Sequence, residues 1–208
     1  MITAKVYKKI KTYKGNTELL VDAQFPAQSV TRVYGSSGSG KTTFLKILAG
    51  LITPDRGTIQ VKDTYWLDIG KKINWKPQQR RAGFVFQDYA LFPNMTVQEH
   101  LQYATADQQL ITRLLKIGKM ESFGLHKPQQ LSGGQQQRLA ILRALALKPA
   151  LLLLDEAFSA LDDDLRESLI TELKIILKEF GTTTIIVSHH LQETAGFADR
   201  SLKIEQEK

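Results

Sequence analysis

Val30-Thr31-Arg32-Val33-Tyr34-Gly35-Ser36-Ser37-Gly38-Ser39-Gly40-Lys41-Thr42-Thr43-Phe44-Leu45-Lys46-Ile47-Leu48 is the stretch that decides the architecture. Its first five residues form a β-branched and apolar run of strand length. At its far end Phe44, Leu45, Leu48 and then Leu51 recur at the spacing of one helix face. Between the two, Gly35 to Thr42 fits G-x-x-x-x-G-K-[ST] at every fixed position, in the strand, loop and helix context that gives the pattern its meaning. Glycines let successive backbone N–H groups turn inward on phosphate oxygens, and the start of the helix adds partial positive charge. Lys41 would bring a point charge to β- and γ-phosphates, and the Thr42 hydroxyl would ligate Mg²⁺. Gly35, Ser36, Ser37, Gly38, Ser39, Gly40, Lys41 and Thr42 are therefore expected to hold the phosphates. A merely flexible loop gives no reason for Lys-Thr at this offset.

Downstream, Pro54, Asp55 and Gly57 mark a turn before the short strand Thr58 to Val61, and Phe84 to Phe86 reads as another. From Thr96 to Leu125 the pattern is helical, lasting until a second glycine cluster at Gly133 and Gly134. Ala150 to Leu154 and Thr183 to Val187 are continuous apolar runs of strand length. The amphipathic helix of Leu165, Leu169, Leu173, Ile176 and Leu177 lies between them. Strands apolar on both faces and separated by helices imply an α/β fold with a mainly parallel sheet. The second of these runs of chemistry is Leu151-Leu152-Leu153-Leu154-Asp155-Glu156, a strand that delivers two adjacent carboxylates to the sheet edge where open α/β sheets bind ligands. Asp155 is assigned to the Mg²⁺ shell and Glu156 to the attacking water.

The bulk properties exclude several classes. With 208 residues, 42% apolar and 24% charged, the chain can bury a core as one domain, 1–208. Its longest strongly apolar stretch, Leu151 to Leu154, is far short of the roughly 18 residues of a membrane span. Met1 to Lys14 alternates Lys with apolar residues and lacks a secretory core, so the chain is expected to stay where it is made. Zero Cys rules out disulfides and thiolate metal sites, in agreement with a reducing compartment. The net charge of +7 is scattered, from Lys5, Lys8 and Lys9 to Lys71, Lys72, Lys76, Arg80 and Arg81. That distribution fits a solvated surface, or attraction to acidic lipid beside a membrane partner.

Leu131-Ser132-Gly133-Gly134-Gln135-Gln136-Gln137-Arg138 opens a further helix, with Ser132 and Gln135 at capping-box spacing. At this stretch the sequence resembles the ABC-transporter ATPases, whose signature is L-S-G-G-Q followed by x-Q-R. The resemblance spans nearly the whole chain. It implies a P-loop NTPase core at 1–86 and 149–208, a small N-terminal antiparallel β part, and an inserted helical subdomain at 87–148 that carries the signature. It makes Gln87 the Q-loop glutamine, sensing Mg²⁺ and the attacking water, and Ser159-Ala160-Leu161-Asp162 the D-loop, with Asp162 near the nucleotide. His189 becomes the switch histidine on the γ-phosphate. Tyr13 stands near the position of the aromatic that stacks on adenine, with Tyr7 and Tyr34 as neighbouring rivals. Many relatives carry Asp where this chain has His190.

The same resemblance implies a head-to-tail homodimer around two ATP, each nucleotide bound by Gly35 to Thr43 of one copy, Thr43 included, and sealed by Ser132, Gly133 and Gly134 of the other. Transmembrane permease subunits would dock near Gln87 to Met95, although the apolar residues of this segment could equally pack the subdomain onto the core. The chain would work at the cytoplasmic face of the membrane, with a substrate-binding protein if it serves an importer and without nucleic acid. Tyr65-Trp66-Leu67-Asp68 and Lys76 to Asp88 look like the ATPases of molybdate and related oxyanion importers. Those relatives often carry a C-terminal regulatory domain, which a chain ending at Lys208 is expected to lack. An exporter or lipoprotein-releasing ATPase, and a non-transport ATPase of the same family, are the other readings.

Overall fold

The computed structural model describes residues 1–12, 15–189 and 191–205. Two antiparallel strands come first, β1 (Ile2–Thr12) and β2 (Gly15–Phe25), followed by β3 (Val30–Tyr34), α1 (Lys41–Ala49), β4 (Arg56–Val61), β5 (Thr64–Asp68) and β6 (Ile73–Asn74). A one-turn helix α2 (Pro77–Arg80) leads into β7 (Ala82–Val85) and the helices α3 (Val97–Ala104), α4 (Gln108–Ile117) and α5 (Gly133–Ala146). The chain then returns through β8 (Leu151–Asp155), α6 (Asp163–Phe180), β9 (Thr183–Val187) and β10 (Arg200–Lys203). Five strands form a sheet in the order β10-β3-β9-β8-β7, and every pairing in it is parallel. The other five form an antiparallel sheet ordered β2-β1-β4-β5-β6.

The parallel sheet separates two cores, and the alternation of side chains along its strands explains why Leu151 to Leu154 of β8 and Ile185 to Val187 of β9 are apolar without a break. Leu152, Leu154 and Ile186 join a cluster with Leu139, Leu142 and Leu145 of α5 and Leu173 and Ile176 of α6. Leu151, Leu153, Ile185 and Val187 face the other way, onto Phe44, Leu45 and Leu48 of α1 and Ile2, Val6 and Leu19 of the antiparallel sheet. Each face is covered, so neither can be polar. β1 keeps a period of two. Ile2, Ala4 and Val6 are buried while Lys5 is exposed. Lys5 and Lys9 are thus on the solvated face of the strand, Lys5 paired with Asp22 at 3.0 Å, while Lys8, in phase with Val6, is half-buried and reaches Asp55 at 2.8 Å. Exposed pairs of this kind contribute about 0–1 kcal/mol each.

Three element boundaries differ from those read in the sequence. α1 stops at Ala49 because Gly50 adopts φ 81° and sends its N–H back to Ile47 O, which leaves Leu51 half exposed and off the helix face. The strand expected at Phe84 to Phe86 is Ala82–Val85, and the Phe84 and Phe86 rings stack at 4.2 Å beyond its pairing edge. The helical pattern of Thr96 to Leu125 breaks into α3 and α4, each started by its own cap. Thr96 Oγ1 accepts from Glu99 N at 3.2 Å, and Asp107 Oδ1 accepts from Leu110 N at 3.0 Å.

The C-terminal end of α1 is also held by one side chain from α2. Arg80 is 1% exposed and donates from Nη1 to Ile47 O at 2.7 Å and Leu48 O at 2.8 Å, the carbonyls at the end of α1. Its Nε donates to Trp75 O at 3.0 Å and its Nη2 to Asn74 Oδ1 at 3.1 Å. A cation here completes the carbonyls that a helix C-terminus leaves open and meets the negative end of its dipole. Burial pushes the Arg80 guanidinium down to about 10.

Candidate nucleotide-binding site

The loop from Gly35 to Gly40 joins the C-terminal end of β3 to α1. Its glycines are required by geometry at two points. Gly40, at φ 92°, begins α1 without any side-chain cap, so the first-turn N–H groups are not claimed by a capping hydroxyl or carboxylate. At Gly35, with φ 156°, a Cβ would lie 2.2 Å from Ile204 O. Gly35→Ala is therefore expected to cost about 1–3 kcal/mol of stability and to weaken nucleotide binding, measured by chemical denaturation and by titration with a fluorescent ATP analogue. Unchanged values in both would mean that the loop and the Ile204 segment part freely.

Lys41, 6% exposed, folds its Nζ over the loop to Gly35 O at 3.1 Å and Ser36 O at 2.8 Å. Burial lowers its basicity, while Glu156 and Asp155 work in the opposite direction. Thr42 Oγ1 donates to Asp155 Oδ1 at 3.1 Å and so ties the first turn of α1 to the end of β8. Asp155 is 2% exposed. Burial raises its carboxyl above the ordinary value, the Thr42 hydroxyl opposes that shift, and the neighbouring Glu156 charge adds to it.

Glu156 follows with a backbone φ of 52°, a left-handed conformation that an L-residue holds only where its surroundings fix it. Its carboxylate gathers two side chains from distant parts of the chain. Gln87 Nε2 donates to Oε2 at 3.2 Å, and His189 Nε2 lies 3.1 Å from Oε1. Ser37, Gly38, Gly40, Lys41, Thr42, Thr43, Gln87, Glu156 and His189 all line one cleft of 340 Å³. An adjoining hollow of 310 Å³ is lined by Thr42, Gln87 and Asp155 together with Lys46, Phe86 and Asp88. The three groups assigned to Mg²⁺ thus share one wall, and their hydroxyl, amide and carboxylate oxygens are the hard donors that this cation takes.

The profile of the ABC transporter family matches residues 20–159. This chain belongs to that family. It is 40% identical over 195 residues to the sulfate/thiosulfate import ATP-binding protein CysA of Mesostigma viride, covering 89% of this chain and 54% of the relative. It is 38% identical over 208 residues to the molybdenum import ATP-binding protein ModC of Shewanella oneidensis, covering 99% of this chain and 56% of the relative. The chain thus spans about half the length of these two curated relatives. Among solved structures, the dimeric structure of MJ0796, a bacterial ABC transporter cassette, superposes with a TM-score of 0.81 at 33% identity, covering 100% of this chain and 98% of that one. The parallel core, the smaller antiparallel part and the inserted helices are therefore those of the ABC-ATPase fold.

Ser132, Gly133, Gly134 and Asp162 do not line the cleft of their own chain. Ser132, Gly133 and Gly134 start α5, with Ser132 and Gly133 exposed. The capping box read in the sequence is present: Ser132 Oγ accepts from Gln135 N at 3.3 Å, and Ser132 N donates to Gln135 Oε1 at 2.8 Å. Asp162 caps α6 by accepting from Leu165 N at 2.8 Å. Gly35 and Ser36 meet the site through the carbonyls that hold Lys41. Ser39 is buried, and among the described residues its hydroxyl has no hydrogen-bond partner. Tyr13 and His190 lie outside the described residues. Of the rival aromatics, Tyr7 donates to Glu18 at 2.7 Å and Tyr34 lies under the Arg32 guanidinium. Ile10 lines the cleft and was not anticipated, because nothing in an apolar residue of an alternating strand signals a ligand wall.

The segment after Gln87 divides its apolar residues: Tyr89 and Leu91 pack against the core cluster of α5 and α6, while Ala90 and Phe92 are exposed. Phe84, Phe86, Ala90, Phe92, Tyr103, Ala144 and Leu147 line a groove of 370 Å³, of which Phe92, Tyr103 and Leu147 are exposed. Tyr89 and Ala90 both have positive φ, and Arg143 of α5 holds them by donating to Ala90 O at 2.7 Å and Tyr89 O at 3.2 Å. No helix among the described residues is long and apolar enough to cross a membrane.

Proposed function

We propose that this cassette binds ATP with Mg²⁺ and hydrolyses it to ADP and phosphate, as the motor of a transporter whose membrane-spanning part is a separate permease. The observation that carries the reading is the placement of the Glu156 carboxylate. It lies on the wall of the phosphate-loop cleft, between Gln87 and His189. Lys41 and the N–H groups of α1 offset phosphate charge, and Glu156 takes the proton of the attacking water. Gln87 and His189 hold the Glu156 carboxylate from both sides, fixing the direction from which that proton is accepted. Thr42, Asp155 and Gln87 would hold Mg²⁺, which when bound neutralises charge developing on the phosphate oxygens. Asp162 and Tyr13 are kept as further contacts to the nucleotide.

The exposed start of α5 supports a dimer in which Ser132, Gly133 and Gly134 of one copy close over the nucleotide of the other. Helix N-termini of this kind favour anions. MJ0796 is described as dimeric, and a second structure of it is a post-hydrolysis state bound to ADP and Pi. Residues 87–148 would act as the helical subdomain that carries this signature, with 1–86 and 149–208 as the nucleotide-binding core. The groove beside Phe92 and Tyr103 would receive a short element of the permease, placing the chain at the cytoplasmic face of the membrane. The similarity to sulfate/thiosulfate and molybdenum import proteins supports a tetrahedral oxyanion as the cargo, delivered by a substrate-binding protein.

Phosphate release from Mg·ATP by the purified chain, and recovery of the permease with the tagged chain from membranes, test this reading together. Turnover that depends on Mg²⁺ and is indifferent to added nucleic acid is the expected result. A chain that binds no Mg·ATP, or is stimulated by nucleic acid, overturns it.

A further inference from the structure

Gln137 lies one turn into α5, is 1% exposed, and is used by none of the roles above. Its amide joins α5 to two points of the loop between β8 and α6. Nε2 donates to Glu156 O at 3.2 Å, and Oε1 accepts from Ala160 N at 3.1 Å. The Glu156 carbonyl also accepts from Ser159 Oγ at 3.0 Å, and Glu156 N donates to Val187 O at 3.0 Å. The left-handed backbone of Glu156 is thus held at both its N–H and its C=O, and one of those restraints comes from α5. Packing reinforces the link, since a Cβ on Gly134 would lie 3.0 Å from Ala160 O. The first turn of α5, the segment Ser159 to Leu161 and the backbone of Glu156 therefore shift together.

We propose that Gln137 is a positioning residue that couples the two nucleotide sites of the dimer. Engagement of the α5 N-terminus on the partner copy's ATP is passed through the Gln137 amide to the Glu156 that serves the chain's own ATP. This rests on the dimeric ATPase reading above. A buried amide with both ends bonded to the backbone of the loop that carries Glu156 transmits a displacement of α5 that apolar packing would absorb.

The test uses the full chain carrying Gln137→Met, which keeps the shape of the side chain and removes both hydrogen bonds. A second variant, Gln137→Glu, keeps an acceptor for Ala160 N and places an acceptor against Glu156 O. Each is measured for Mg·ATP affinity, for kcat and for the Hill coefficient in ATP. Both are expected to bind Mg·ATP within about twofold of wild type and to lose about 10- to 100-fold in kcat, the scale of a misplaced reacting group. In Gln137→Met the Hill coefficient should also fall to unity. A folded variant with wild-type kcat and cooperativity overturns the proposal. So does a loss seen only in KM, as a purely structural role would give. Should Gln137→Met fail to fold, Gln137→Glu decides on the same criteria. A wild-type chain inert toward Mg·ATP overturns the ATPase reading itself, and that is seen before any variant is made.

Discussion

Glu156→Gln is expected to lower ATP turnover by about 10²- to 10⁴-fold, the range associated with a positioned general base, while Mg·ATP binding stays intact. The carboxylate accepts from Gln87 at 3.2 Å and faces His189 at 3.1 Å, so its position is set by its neighbours and a side chain of the same shape fits the same space. What the amide lacks is a basic oxygen for the proton of water. The phosphate contacts, by contrast, belong to Lys41 and to the loop backbone, none of which the substitution touches. Phosphate release and nucleotide titration on the same preparation separate the two effects. Near-normal turnover would remove Glu156 from its assigned role, and a parallel loss of binding would make it a ligand contact instead.

Arg80→Met is expected to destabilise the fold by about 2–4 kcal/mol, since it leaves the Leu48 and Trp75 carbonyls without the guanidinium donor and Ile47 O with only the Gly50 N–H. The guanidinium serves Ile47 O, Leu48 O and Trp75 O at 3.0 Å or less, and each was desolvated on the understanding that a cation meets it. Methionine fills the volume but donates nothing. For a chain of this length the change corresponds to a drop in Tm of roughly 4–16 °C. Arg80→Lys should recover only part of it, because an ammonium cannot reproduce a planar fork that reaches four acceptors. Calorimetry on the three proteins checks the order. A methionine variant as stable as wild type would mean that water replaces the guanidinium in this pocket.

The amount that could be read from the sequence followed from how local each signal is. The phosphate loop, its flanking strand and the Asp155-Glu156 pair are contiguous, and their spacing carries their chemistry. Strands Val30–Tyr34 and Thr183–Val187 have the bounds the apolar runs suggest, because both faces are buried and each run ends at a polar or glycine residue. The antiparallel layer came only through family resemblance, although Ile2, Ala4 and Val6 alternate with solvated residues as a half-buried strand should. There the lysines drew attention as charge instead of as period. Leu51 was misplaced because periodicity continues past Gly50 while the backbone does not. Arg80 was noted for its charge alone. Its burial depends on a partnership between the end of α1 and a turn some thirty residues later, and no local pattern reports that. Ile10 and Gln137 escaped for the same reason: their neighbours are brought to them by topology.

That topology has a consequence for how the protein comes into being. β3 lies between β9 and β10, with Val30 opposite Thr184 and Thr31 opposite Arg200. The strand that launches the phosphate loop is therefore made more than a hundred and fifty residues, on the order of the length of a domain, before either of its sheet neighbours leaves the ribosome. Contacts between residues so far apart in sequence form slowly. Competence to hold a nucleotide consequently waits for β9, and a chain stalled before residue 183 would carry the complete loop motif with no neighbouring strand beside β3.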